Sequence, residues 1–303
     1  MPEREPVPYL PLHRRPRITW PGGARVALWV APNVEFYELM PPENPLFTAW
    51  GRVSEPPDVM SYGYRDFGNR VGFWRVLEVL DRHGVRATAS LNVAVLEHLP
   101  EIAEAMAARE WAFMGHGLYN TRFLYGISRE EERSLYQEMQ EIVERRTGRR
   151  MLGMFGPHAS LSPHTMDVMA EEGFLYSADW LLDDQPFPIA TESGRLVGVP
   201  YSFEVNDEPL FLGSHADDEF LTRCRDQFDV LYEEGAESGR VMCIAFHPFL
   251  LGQPHRIALL DEALAYVLGH ERIWAATGDE IAQWYLKRHH EEALAYLASA
   301  EPE

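Results

Sequence analysis

The sequence predicts an α/β fold, a parallel (β/α) barrel in a single domain. Three observations carry this reading. Apolar runs of strand length alternate with helical periodicity about seven times along the chain, the order that a parallel sheet with helical crossovers requires. No Gly-x-Gly-x-x-Gly follows the first strand, which argues against a dinucleotide-binding sheet. The 303 residues, 46% apolar and 24% charged, have an ordinary globular composition with no internal repeat, low-complexity stretch or linker.

The elements follow in order. A Pro- and Arg-rich arm, residues 1–19, precedes a turn at Trp20-Pro21-Gly22-Gly23. Arg25 to Ala31 reads as the first strand. Pro41 to Tyr64, with Pro and Gly throughout, is too long for an ordinary connection and reads as a functional loop. Val71, Trp74, Leu77, Val79 and Leu80 recur at helical spacing, so a helix is expected from Arg70 to His83, stopped by Gly84. Val85 to Leu91 is a strand, Pro100 to Arg109 a helix with Pro in its first turn, and Trp111 to Met114 a strand. Ser128 and Glu131 form a capping box for a helix to Arg146, closed at Gly148. Met151 to Phe155 is a strand, Ser162-Pro163 opens a helix ending at Gly173, and Phe174 to Ala178 and Leu196 to Tyr201 are extended. Asp217 to Glu234 is a helix, Arg240 to Phe246 a strand, Arg256 to Leu268 a helix and Arg272 to Ala275 the last strand. Thr277 with Glu280 caps the helix that follows. The barrel is thus expected over 20–288, with a helical tail at 289–303 whose His289 and His290 read as solvated.

Lys and Arg total 27 against 47 Asp and Glu, a formal charge of −20. Such a surface repels nucleic-acid phosphates and anionic membranes, so neither is an expected partner. A small-molecule substrate is, and an anionic one is still allowed where a local Arg serves it. Cys224 and Cys243 are the only cysteines, too few for a disulfide framework or a Cys-rich zinc site. With no signal-like apolar core near the N-terminus and no apolar run of membrane length, the expected location is the cytoplasm. Pro6 to Pro16 is too polar to form its own core and suits packing on a neighbouring subunit, so a homodimer or homotetramer is expected.

In a parallel barrel the chemistry gathers where strands end. The ends here carry Asn33-Val34-Glu35, Asn92, Gly115-His116-Gly117 with Asn120 beyond, Gly156-Pro157-His158, Asp179-Trp180 and His247-Pro248. Glu35, His116 and His247 on one rim suit proton transfer to and from a bound small molecule and are the candidate catalytic residues. Arg70, Asn120, His158, Asp179 and Trp180 are the candidate substrate-binding residues. Arg70 is either a solvated first-turn residue or a ligand for a substrate carbonyl or carboxylate. Asp179 either meets substrate, orients a histidine or caps a turn. Glu35, His116 and His247 have no metal-site spacing, and no His-Glu-x-x-His is present, so the residues give no positive sign of a metal.

At these residues the chain resembles the polysaccharide deacetylase (NodB-homology) superfamily, and within it the metal-independent allantoinase and cyclic-imide-hydrolase branch. The resemblance runs from about Trp20 to Tyr285. It rests on Trp20-Pro-Gly-Gly-Ala-Arg-Val, Asn33-Val-Glu, Gly68-Asn-Arg-Val-Gly-Phe-Trp-Arg75, the His116-Gly segment, Asp183-Asp184 before Pro186 and Val199-Pro-Tyr. It rests further on Asn206-Asp207, Phe228 to Glu237, and His247 followed by Gly252-Gln-Pro-His-Arg256. It implies a distorted (β/α)7 barrel. It places Glu35 on the general base of the superfamily's Asp-Asp motif and Phe36 on the second Asp, a metal ligand. His116 falls on the first histidine of the His-x-x-x-His metal motif, Asn120 on the second, and His247 on the general-acid histidine. One of three expected metal ligands, His116, is therefore present, and no metal cofactor is expected. The Arg-containing third motif is replaced by Gly156-Pro-His-Ala-Ser-Leu-Ser, a departure from the allantoinase pattern too.

The resemblance implies a hydrolase of non-peptide C–N bonds that opens a cyclic amide, imide or ureide without a metal. Glu35, with His116, would activate water and His247 would protonate the leaving nitrogen. Two alternatives stay open at this point: a metal-dependent N-deacetylase of carbohydrates, using a divalent ion such as zinc, and a non-catalytic barrel that binds a small molecule or glycan.

Overall fold

The computed structural model describes residues 6–42, 57–213 and 215–300. After the Pro21–Gly23 turn, β1 (Val26–Val34) is buried along its whole length and continues through the polar Asn33, beyond the apolar run that marks it in the sequence. Most of the expected functional loop lies outside the described residues, and its end is helical. An Asp58 carboxylate accepting from the Ser61 N–H opens α1 (Val59–Phe67), a π turn at Gly68–Gly72 follows, and α2 (Phe73–His83) closes on left-handed Gly84. Glycine weakens a helix interior, yet Gly72 is required here: a Cβ on it would lie 1.9 Å from the Pro248 carbonyl oxygen. The turn after His247 is pressed against this helix.

The chain then runs through β2 (Thr88–Leu91), α3 (Ala94–His98), α4 (Pro100–Ala108), β3 (Ala112–Gly115) and α5 (Arg129–Thr147). The capping box at Ser128 and Glu131 and the left-handed Gly148 stand where the sequence places them. Next come the short β4 (Gly153–Met154), α6 (Thr165–Glu171) and β5 (Tyr176–Ser177). β6 (Phe187–Ile189) and β7 (Leu196–Gly198) form an antiparallel pair, the one departure from parallel pairing. A short α7 (Asp207–Leu212) precedes α8 (Glu219–Glu234), β8 (Arg240–Phe246), α9 (Ile257–Leu268) and β9 (Ile273–Ala275). α10 (Gly278–Arg288), with the expected Thr277 and Glu280 capping box, and α11 (His290–Ala300) complete the chain.

The strand order is β6-β7-β5-β4-β3-β2-β1-β8, a curled half-barrel with helices outside, as the alternation predicts. β1 is its axis. One edge pairs with β8 from Val26 opposite Arg240 to Pro32 opposite Phe246. The other edge is divided: β9 takes Val26 to Leu28, and β2 takes Asn33 and Val34. β8 has irregular backbone on its outer side, with Val241 N–H donating to the Asp184 carbonyl (2.8 Å) and Ala245 N–H to the Val205 carbonyl (3.2 Å). That segment brings 201–209 over the end of β8. Trp111, Phe113 and Phe246 fill the interior between sheet and helices, and Trp29, on the other face of β1, packs with Tyr176 and Tyr201 inside the curl of the sheet.

Two surface expectations change. The described part of the arm lies on its own barrel: the Arg15 guanidinium reaches Asp183 (2.7 and 2.8 Å) and the Leu10 carbonyl (2.6 Å). The Ala190 N–H donates to the Pro6 carbonyl (2.7 Å). His289 and His290 are buried, not solvated, because the junction of α10 and α11 folds back on the start of the chain, with His289 Nε2 3.1 Å from the Thr19 carbonyl oxygen. Among the described residues no helix is long and apolar enough to cross a membrane.

Candidate active site

The C-terminal ends of β1, β3 and β8 deliver Glu35, His116 and His247 to one cavity of about 170 Å³. Asn33, Asn120, His158 and Glu208 also line it, with Phe155, Tyr201 and Phe203 among its apolar walls. Asn92, at the end of β2, splints the two neighbouring strand ends. Its carbonyl accepts from the Phe36 N–H (2.9 Å) and its amide donates to the His116 carbonyl. The Asn69 amide adds a bond to the Glu35 carbonyl (3.0 Å). The bonds to the Phe36 N–H and the Glu35 carbonyl hold the peptide that follows the acid, and the Asn92 N–H, donating to the Val34 carbonyl (3.1 Å), holds the one before it.

Glu35 Oε1 lies between two imidazoles, 3.5 Å from His247 Nε2 and 3.6 Å from His116 Nε2. His116 Nδ1 is 2.6 Å from the Phe155 carbonyl oxygen, which only accepts, so Nδ1 carries a proton and Nε2 is the atom presented to Glu35. His247 Nδ1 is 2.7 Å from Oδ1 of the fully buried Asp207. The same carboxylate accepts from the His247 N–H (2.9 and 3.0 Å) and the Leu251 N–H (3.1 Å). The two backbone N–H donors hold Asp207 as an acceptor, the role of a carboxylate, and the shared proton is accordingly assigned to His247 Nδ1. His247 Nε2 also lies 3.7 Å from Glu208 Oε2.

Charge follows from this geometry. Burial opposes a charged His247, but Glu35, Asp207 and Glu208 outweigh it and hold its pKa well above the ordinary histidine value. Burial likewise pushes Glu35 up. The His247 charge 3.5 Å away, with the His116 imidazole on the other side, more than reverses that and holds it well below the carboxylate range. At neutral pH the centre is a carboxylate beside an imidazolium.

His158 stands at the rim on the Pro157–Ala159 turn, with φ 53° there and 51° at Ala159, left-handed at two successive residues that are not glycine. Such backbone is costly and persists where its surroundings impose it. Asp179 Oδ1 accepts from the Gly156 N–H (2.7 Å), the Ser160 hydroxyl donates to the Pro157 carbonyl (2.6 Å), and the Leu124 N–H donates to Ser160 Oγ (3.0 Å). Asp179 is thus placed to hold this turn, and it is not on the cavity wall. Burial raises its pKa to about 6.

The remaining sequence candidates divide. Asn120 lines the cavity and its amide bonds the Tyr37 hydroxyl. Trp180 does not: its indole N–H points to Met166 Sδ (3.3 Å), and it walls the groove under the arm. Arg70 does not either. Its largely exposed side chain pairs with Asp66 on α1. The arginine that approaches the site is Arg65, buried, 4.3 Å over the Tyr37 ring and close enough to act on Glu35 and Glu208. Reading strand ends misses Asp207 and Glu208, because both come from α7. The sequence marks Asp207 as part of the Asn206-Asp207 segment of the resemblance, with no role attached, and Asn206 caps the helix by accepting from the Glu208 N–H.

A metal centre does not fit these residues. At position 36 the phenyl ring stacks on His98 (4.5 Å) and meets Tyr119 edge-on, so no oxygen ligand stands there, and position 120 offers an amide. Glu35 Oε1 meets the two imidazoles at 3.5 and 3.6 Å, an ion pair with His247 needing no ion to balance it. Among the described residues no group of three His, Cys, Asp or Glu is arranged to hold a metal ion.

Comparison with known proteins agrees with the fold. Residues 60–177 match the polysaccharide deacetylase family model. A Schizosaccharomyces pombe protein named as a polysaccharide deacetylase is 30% identical over 247 residues, 74% of this chain and 75% of that one. A crystal structure from Pseudomonas aeruginosa PAO1, named for the same activity, superposes with a TM-score of 0.82 at 27% identity, over 90% of this chain and 95% of that one. The crystal structure of PuuE allantoinase gives 0.83 at 27% identity, over 95% and 98%. The parallel α/β architecture read from the alternation, in the distorted NodB-type barrel that the resemblance implies, is the fold observed. The chain belongs to the polysaccharide deacetylase family, and with it to the hydrolases of carbon–nitrogen bonds other than peptide bonds.

Proposed function

We propose that this protein opens the ring of a small cyclic amide, imide or ureide by acid–base hydrolysis without a metal. The observation that carries the proposal is the position of Glu35 between two histidines whose Nδ1 protons are held by fixed acceptors, Phe155 and Asp207. Water on the Glu35 side of the carbonyl gives its proton to the carboxylate as its oxygen bonds to carbon. The C–N bond then breaks as His247 Nε2–H protonates the departing nitrogen, which leaves a carboxylic acid and the ring-opened N–H product. In the resting site the imidazolium weakens Glu35 as a base. A substrate that separates the two removes that charge and raises the basicity of Glu35 when a water is to be deprotonated. Asn120 and His158 are the side chains offered to the developing oxyanion.

A cavity of about 170 Å³ is smaller than the roughly 300–1,000 Å³ that takes a drug-sized ligand, which favours a single small ring over a sugar chain. Likeness to PuuE allantoinase supports ring opening, and the names of the deacetylase relatives support sugar deacetylation. Phe36 and Asn120 favour the first, since an unactivated acetamide needs a Lewis acid more than an imide or ureide does. The test is a hydrolysis screen of cyclic ureides, imides, lactams and N-acetyl sugars with and without chelator. Ring opening that survives chelation is expected. Turnover confined to N-acetyl sugars and abolished by chelator would overturn the proposal.

A further inference from the structure

Three oxygens on the cavity wall are buried with no hydrogen-bond partner, Asn33 Oδ1, Glu35 Oε2 and Asn120 Oδ1. The Asn120 amide can turn over, because its partner, the Tyr37 hydroxyl, donates as well as accepts. The Asn33 amide is not free to turn over. Its nitrogen donates to the Phe246 carbonyl (3.3 Å), which only accepts, and to the Tyr201 hydroxyl (2.7 Å). Its oxygen is therefore the atom left unanswered. Native interiors rarely leave a buried acceptor so, and a ligand donor is the usual remedy at a functional site. Glu208 adds a further acceptor to the same wall, its side chain 28% exposed and in contact with His247 alone among the described ion pairs. Beside these oxygens Phe155 and Tyr201 present stacked rings, 4.5 Å apart and 29° from parallel. The cavity thus combines flat apolar walls with oxygens that accept, and the chain around it carries a formal charge of −20.

We propose that Asn33 and Glu208 are specificity-determining residues that select substrate by its N–H groups. On the ring-opening reading, on which this rests, Glu35 Oε2 is kept for the attacking water, and Asn33 Oδ1 and Glu208 each take one ring N–H. The preferred substrate is then a flat, uncharged ring with at least two N–H donors, a cyclic ureide. A lactam or simple imide offers one donor, and an anionic ring meets Glu208 and Glu35 as like charges.

The test uses the full-length protein with hydantoin, its 1-methyl, 3-methyl and 1,3-dimethyl derivatives, succinimide and N-acetylglucosamine as probes, reading binding by calorimetry and ring opening by kcat/KM. Each N-methyl group should cost about tenfold or more, since a site built to bond an N–H discriminates strongly against its absence. Methyl groups also add bulk, so the deciding comparison is Glu208→Leu, which keeps the volume and removes the acceptor. This variant should reduce discrimination against one of the two monomethyl derivatives about tenfold and leave the other unchanged. Discrimination unchanged in Glu208→Leu, or rings opened equally well with and without N-methyl groups, would overturn the inference and leave the ring-opening reading standing. Hydantoin that binds in an N–H-dependent way and is never opened would uphold the inference and defeat that reading. Preference for succinimide or N-acetylglucosamine over hydantoin would overturn the inference.

Discussion

Replacing Asp207 by asparagine removes the charge behind His247 at nearly constant size. In the native site three N–H donors meet the two carboxylate oxygens at 2.7–3.1 Å, and the residue is fully buried. Asparagine keeps one of those oxygens and turns an NH₂ toward the same donors, so at least one buried N–H loses its acceptor. Each such loss costs about 1–3 kcal/mol, and breaking a buried charged pair costs about 3–5 kcal/mol in all. Against a total stability of roughly 5–15 kcal/mol the variant should remain folded, with Tm lower by on the order of 10 °C. Catalysis should suffer more distinctively. With Asp207 neutral, Glu35 and Glu208 alone support the imidazolium, so the His247 pKa falls and kcat drops by about 10²–10⁴. The alkaline limb of the kcat–pH profile should move to lower pH at the same time. The assay is kcat against pH on the best substrate from the screen, beside a thermal melt. An unshifted alkaline limb with near-normal kcat would refute the assignment of His247 as an acid held charged by Asp207.

Glu35→Gln should lower kcat by about a hundredfold or more while ligand binding measured by calorimetry stays within a few-fold, because the amide cannot take a proton; near-normal kcat would remove Glu35 from the base role. Stability should carry the signature of the same pair. The Glu35 contribution is present above its ordinary pKa of 4.5 and lost as pH falls toward its depressed folded value. The His247 contribution is complete below 6.5 and lost as pH rises through its elevated folded value. Melting temperature against pH should therefore flatten on the acid side in Glu35→Gln and on the alkaline side in His247→Asn, and profiles parallel to wild type would contradict the charge assignments. Gly72→Ala, whose Cβ would meet the Pro248 carbonyl at 1.9 Å, should depress both Tm and kcat by pushing the His247 turn off the helix, and loss of neither would contradict that packing. A homodimer or homotetramer is expected by light scattering at micromolar concentration, with a monomeric mass counting against it.

What could be read from the sequence was whatever local chemistry decides. Both capping boxes, the left-handed caps and the β8 strand stand where the residues indicate, since each depends on neighbours a few positions away. The strand-end rule brought Glu35, His116, His158 and His247 to one cavity because a parallel sheet leaves the chain little choice. Arg70 lies off the cavity wall, in the π turn at Gly68–Gly72 with its side chain paired to Asp66, and the arginine buried near the site is Arg65 on α1. The roles of Asp207 and Glu208 were hidden, although Asn206-Asp207 is among the segments that carry the resemblance, because an acid in a first helical turn is what any helix favours. Only their position against the end of β8, set by the irregular 199–206 segment, gives them a role. The buried state of His289 and His290 was invisible for a similar reason, being a contact between the two ends of the chain.

The two histidines of the site differ in what holds their protons. His116 is oriented by a main-chain carbonyl, that of Phe155, which every residue at that position supplies. No single substitution at position 155 deletes this acceptor, so the tautomer of His116 is inherited with the fold. His247 is oriented by a side chain, and one nucleotide change could alter it. Divergence in this lineage therefore has an open route through the acid, by resetting its strength at position 207, and a closed one through His116. Related barrels should vary in how acidic their proton donor is long before they vary in which nitrogen His116 turns to the substrate.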